Sequence, residues 1–115
     1  MKGSRPGEDE WEKDPRVLSM RRVFAAIEMR QAALLERLNI HWMDRGLKVM
    51  RRTALHLFER IWAGAVDRGV RLGEEDAADL YVHCLASVLH TRGISTPAES
   101  LPPNDVIKRL MEEAR

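Results

Sequence analysis

Residues 15–38, PRVLSMRRVFAAIEMRQAALLERL, decide the fold. At the turn of an α-helix, Val17, Met20, Val23, Phe24, Ile27, Leu34, Leu35 and Leu38 fall within an arc of about 120°, so the segment reads as one long amphipathic helix. Its start is marked by Asp14 and Pro15. The carboxylate caps free N–H groups, and proline at the first helical position has no N–H to lose. The same stretch reads as a heptad seam in which Val17, Met20, Phe24, Ile27, Gln31, Leu34 and Leu38 alternate three and four apart. Gln31 interrupts the seam. A polar residue there either sets the register of a helical pairing or lies at the edge of a core.

A second helix is predicted from about Asp44 to Arg68, with Met43, Leu47, Met50, Ala54, Leu57, Phe58, Ile61 and Ala65 on one face. Projected on one continuous wheel, the two apolar stripes lie roughly 170° apart, so an unbroken rod would point its apolar faces in opposite directions. A turn over residues 39–43 removes the conflict, with Asn39 as a left-handed terminator and Asp44 as the next cap. The expectation is an antiparallel hairpin of helices 1 and 2. Leu55, Trp62 and Val66 widen the apolar arc of the second helix on one flank, which points to more than one neighbour. Gly46 and Gly64 project together on the other flank and read as positions of close backbone approach.

Two glycine C-caps follow, each with an apolar contact residue after it: Arg68, Gly69 and Val70, then Arg92, Gly93 and Ile94. They bracket a third helix that begins near Gly73 or Glu74, where Glu74, Glu75 and Asp76 complement the positive end of the dipole. Its inner face is read as Ala77, Tyr81, Cys84, Leu85, Val88 and Leu89. Thr96, Pro97 and Glu99 give a cap-box-like single turn before Pro102 and Pro103 break the chain. A short last helix, Asp105 to Arg115, carries Val106, Ile107, Leu110 and Met111 on one side. Upstream, residues 1–14 hold glycine, proline and charge without periodicity and read as a mobile charged tail. Trp11 is the exception, and its large apolar area favours folding back on its own domain over anchoring a partner. The chain therefore reads as all-α, a small bundle of about four helices in one domain over residues 15–115.

Composition narrows the function. No apolar run approaches the roughly 18 residues of a membrane span, and the N-terminus lacks the apolar core of a signal peptide, so no membrane association is expected and the cytoplasm is the expected location. Cys84 stands alone, which excludes an intramolecular disulfide and any multi-cysteine zinc site. Net charge is +1, but residues 16–71 carry +7 and residues 72–115 carry −4. This asymmetry suits either two halves of a bundle that attract each other or a cationic face for an acidic partner.

Three functional readings follow. The first is a non-enzymatic helical adaptor or regulatory protein that associates with itself or a protein partner through Ile27, Gln31, Leu34, Leu55, Trp62 and Val66. The second is nucleic-acid binding through Arg21, Arg22, Arg45, Lys48, Arg52 and Arg60, because the arginine fork suits phosphate. The third is a metal site from Asp79, His83 and His90, which share the polar face of the third helix with Asp76 and Ser87. That face lacks the HExxH or paired ExxH spacings of helical metal sites, and the favoured reading for it is solvation. Ser87 beside His83 has no glycine-flanked elbow or oxyanion loop, and no phosphate-binding glycine loop is present. No enzymatic activity and no cofactor are expected.

Overall fold

The computed structural model describes residues 15–41 and 46–114, with the side chains of residues 15–19 excepted. Among these described residues four helices run in order: α1 Pro15–Arg37, α2 Leu47–Asp67, α3 Glu74–Thr91 and α4 Asp105–Glu113, with a 3₁₀ turn at Ala98–Ser100 before the last. The chain is an all-α bundle. Trp11, Met43 and Asp44 lie outside the described residues, as does the predicted tail at residues 1–14.

The helix ends are set by local chemistry. Asn39 has φ 57°, Gly69 φ 79° and Gly93 φ 81°, so the chain leaves each of the first three helices through a left-handed residue. The next amide then returns to the last turn: Ile40 N donates to Leu35 O (2.9 Å), Val70 N to Ala65 O (2.9 Å) and Ile94 N to Leu89 O (3.0 Å). This is the double-bonded Schellman end, and each of its apolar followers packs against the core. Glycine bears positive φ without a Cβ penalty, and asparagine is among the side chains that tolerate it best.

The packing is organised around α3. Every residue from Ala77 to Ala86 is buried, and Val88 and Leu89 join them. A helix buried on all sides needs neighbours on all sides. α1 and α2 supply most of that cover, each packing extensively on α3, and α4 closes the remainder. Tyr81 marks the junction, its hydroxyl donating to Gln31 Oε1 of α1 (2.5 Å) while its ring meets Phe58 of α2 edge-on at 6.0 Å.

The helix 1/helix 2 hairpin is thereby refined. Met20, near the start of α1, and Trp62 and Val66, near the end of α2, line one surface groove, so the two helices lie side by side in antiparallel sense. Their main packing, however, is with α3 and not with each other. The physical reason is that α3 carries apolar side chains around all of its circumference except the Asp76, Asp79 and His83 edge, and both stripes are drawn onto it. The two stripes behave accordingly. On α1, Val23, Ile27, Leu34 and Leu35 are buried; on α2, Leu47, Met50, Ala54, Phe58, Ile61 and Ala65 are. The close approach read at Gly64 is not found, since a Cβ there would meet nothing within 4 Å.

Because Leu85 is fully buried in α3, Leu85→Ala should lower the free energy of unfolding by about 3 kcal/mol through lost burial and a cavity. Val106→Ala, at a half-exposed site on α4, should cost less than about 0.5 kcal/mol. Urea denaturation followed by circular dichroism measures both.

Candidate functional site

Two regions carry the residues singled out by sequence. The first is the acidic and histidine row of α3. Solvation was the expectation for it, and that is corrected for two of its members: Asp79 and His83 are each only 9% exposed. Burial comes from α1 on one side and from residues 102–104 on the other. Arg30 of α1 forms ion pairs with Asp79 and Glu75. Asn104 donates its side-chain amide to Asp79 Oδ2 (3.0 Å) and to Asp76 Oδ1 (2.8 Å). His83 Nε2 donates to the Pro102 carbonyl at 3.1 Å, a role that places the proton on that nitrogen because a carbonyl can only accept.

This constellation is a clamp. A buried carboxylate is stable only when paired and hydrogen-bonded, and Asp79 has a guanidinium and an amide on its oxygens. Asn104 also caps α4, its Oδ1 accepting from Ile107 N at 3.3 Å. One side chain thus starts α4 and fastens it to α3. Such an arrangement has little chemistry to spare. His90 and Ser87 are exposed, away from the buried pair, and among the described residues no group of three His, Cys, Asp or Glu side chains converges as a metal site. The row Asp79, His83, His90 is therefore divided: two of its members hold a proline segment and the third faces solvent.

Beside the clamp lies a cleft of about 500 Å³ whose walls include Arg30, Leu34, Arg37, Asp79, Glu99 and Pro102. Arg30 and Asp79 neutralise each other there, and Arg37 and Glu99 add one charge of each sign, so the cleft offers no net charge to select a ligand.

Cys84 is the other reactive group of α3. Burial pushes its thiol up to about 12, against a smaller opposing effect of the Arg60 guanidinium. Its sulfur sits 3.9 Å from Met111 Sδ of α4. Burial likewise raises the Tyr81 phenol, partly offset by the Arg51 guanidinium beside it. Neither group is activated. The Cys84 thiol holds its proton more tightly folded than unfolded, so its contribution to stability is whole below about pH 9 and is lost as pH rises toward about 12. The urea midpoint of the native chain should fall more steeply across that window than that of Cys84→Ala, and a thiol reagent at pH 8 should label Cys84 only after unfolding.

The second region is the surface of α1 and α2. Of the residues expected to bind a partner, Ile27, Gln31 and Leu34 are buried within the chain. This stretch of the seam packs within the chain, with Gln31 bonded to Tyr81 of α3, so these three are core residues and not a docking surface, whereas Met20 and Phe24 of the same seam stay exposed. Leu55 and Trp62 are half-buried against the core, and Val66 is 57% exposed. Trp62 stacks at a tilt on Phe58, with ring centroids 5.2 Å apart. Trp62 and Val66 line the shallow groove with Met20, Ala63, Glu59 and Asp67. Phe24, one turn along α1 from Met20, is 45% exposed.

The cationic residues are dispersed. Arg21, Arg22, Lys48, Arg52 and Arg60 are all exposed, and Arg22 lies 3.7 Å from Glu74 of α3. Arg45 lies outside the described residues.

Sequence reasoning missed Asn104 as the cap and clamp of α4. The signal was present in the residue itself, an asparagine between a proline break and an acidic first turn. It missed the Arg30 pair with Asp79 because the two are 49 positions apart in sequence.

No protein-family model matches this chain, and no curated protein and no solved structure matches it. No described helix is long and apolar enough to cross a membrane.

Asp79→Ala should remove the more buried of the two carboxylates paired with Arg30 and one of the two acceptors of the Asn104 amide, costing about 2 kcal/mol in a urea titration. Ser87→Ala, on the same helix but exposed, should leave the midpoint within error.

Proposed function

We propose that this chain is a non-enzymatic helical interaction module, an adaptor or regulatory protein that acts by helix–helix association. The observation that carries the reading is the α1/α2 groove. Met20, Trp62 and Val66 from two helices share one solvent-facing surface, flanked on α1 by Phe24. Adjoining exposed apolar residues with charged rims mark a protein-binding surface more than isolated ones do. A groove between two helices suits an amphipathic helix laid along it.

The other groups support the same reading by being spent. Asp79 and His83 fasten the proline segment, and Cys84 is buried and protonated. The cationic residues carry no comparable argument, because Arg22 and Arg30 face carboxylates of α3 and Glu59 and Asp67 interrupt the outer side of α2.

Val66→Asp places a charge on the groove without touching the core. Tagged chain produced in its own cells beside the untagged chain should bring down a polypeptide at stoichiometric yield, the untagged copy or another protein, and Val66→Asp should lose it with an unchanged circular dichroism spectrum. Equal recovery by both chains, or none by either, would sink the reading.

A further inference from the structure

Met20, Met29, Met50 and Met111 are the described methionines, and oxidation has different consequences at each. Met29 is 75% exposed and Met20 38%, so an oxidant reaches both and an added oxygen stays in water. Met50 is buried in α2 and out of reach. Met111 falls between these cases, because it is partly exposed on α4 and yet packs against the core. Reach and consequence meet at this residue.

Its neighbour sharpens the consequence. The Cys84 thiol donates to Met111 Sδ across 3.9 Å, and Cys84 itself is fully buried. A thioether is a weak acceptor matched here to a weak donor. A sulfoxide in the same seat is a strong acceptor with a larger, polar head, and a thiol is too weak a donor to satisfy it. Burying such a group costs more than the contact it replaces.

α4 is the element least able to absorb that cost. It has 9 residues, too few to persist as a free helix, so docking alone holds it in place. Only its Ile107 and Leu110 are buried, with Met111 beside them. The fit to α2 is open, since clefts of about 470 and 250 Å³ lie along Arg68, Leu110 and Glu113. The Arg68–Glu113 ion pair that bridges them is exposed to solvent and weak. The Asn104 amide is a firmer tie to α3, but it precedes the helix and holds only its base.

We propose that Met111 is a peroxide-responsive latch, whose oxidation to the sulfoxide releases α4 about its Asn104 base and uncovers Cys84 while α1, α2 and α3 stay packed. In that step the thioether sulfur attacks one oxygen of hydrogen peroxide, and the S–O bond forms as the O–O bond breaks. The proton of the transferred oxygen passes to the departing hydroxide, which leaves as water. The sulfur is oxidised by the electron pair that the peroxide gains. A methionine sulfoxide reductase returns the thioether. Nothing in this device depends on the α1/α2 groove.

The full chain treated with hydrogen peroxide at neutral pH, and then with catalase, tests this. Peptide mass locates the added oxygen, a maleimide reports access to Cys84, and hydrogen exchange follows each helix. A thiol that keeps its proton is a poor peroxide target, so Cys84 remains available to report. Oxidation of Met29 alone should change neither labelling nor exchange. Once Met111 carries the oxygen, Cys84 should label about tenfold faster, and residues 105–113 should lose exchange protection while α1, α2 and α3 keep theirs. Met111→Leu, which conserves volume, should stay closed in the same peroxide. Met111 sulfoxide with Cys84 still closed overturns the proposal, and so does a Met111→Leu chain that opens as the native one does. Loss of protection in all helices together, or a Met111 that resists peroxide until the chain unfolds, overturns it equally.

Discussion

The structure depends on the enclosure of α3. An 18-residue helix whose side chains are buried from Ala77 through Ala86 cannot rest on one neighbour, since a single helix contact covers only a stripe of its surface. α1 and α2 therefore both turn their apolar faces onto it, and α4 with the proline segment before it covers what is left. Each cover is completed by polar contacts placed where α3 carries polar groups. Gln31 answers Tyr81, Arg30 answers Asp79, and Asn104 and the Pro102 carbonyl answer the Asp76–His83 edge.

This arrangement explains why the most suggestive chemical residues are structural. Asp79 and His83 occupy the edge of α3 where apolar cover gives way to an irregular segment, and irregular segments bring unpaired backbone groups with them. A buried histidine and a buried carboxylate are suited to such an edge, because each can hold a donor or acceptor that no helix would satisfy. The groove between α1 and α2, the proposed interaction surface, follows from the same cause. Two helices drawn onto a shared third helix are not free to close on each other, and the residues along their adjoining flanks stay in solvent.

The helices and their ends were legible in the sequence. Asn39, Gly69 and Gly93 end the first three helices in the left-handed conformation that their residue types favour, and the stripes bury Val23, Ile27, Leu34 and Leu35 of α1 and Leu47, Met50, Ala54, Phe58, Ile61 and Ala65 of α2, whereas Met20 and Phe24 of the α1 stripe stay exposed. The widened flank of α2, with Leu55, Trp62 and Val66, was legible too, as an arc too broad for one contact. The heptad seam of α1 was misleading. Ile27, Gln31 and Leu34 look alike whether the partner helix belongs to the same chain or another, because periodicity encodes the existence of a packed face and not its occupant.

What the sequence by itself determined is what depends on residues within a few turns of one another: helix identity, the left-handed helix ends, the apolar stripes and the all-α class. Only the tertiary structure decided which stripe meets which, that α3 is enclosed on every side, that Asp79 and His83 are buried against residues 102–104, and that Met20 adjoins Trp62 and Val66. These pairings join positions 19 to 50 residues apart. No local rule reaches that far, because the free energy of such a contact depends on how all the helices share one core.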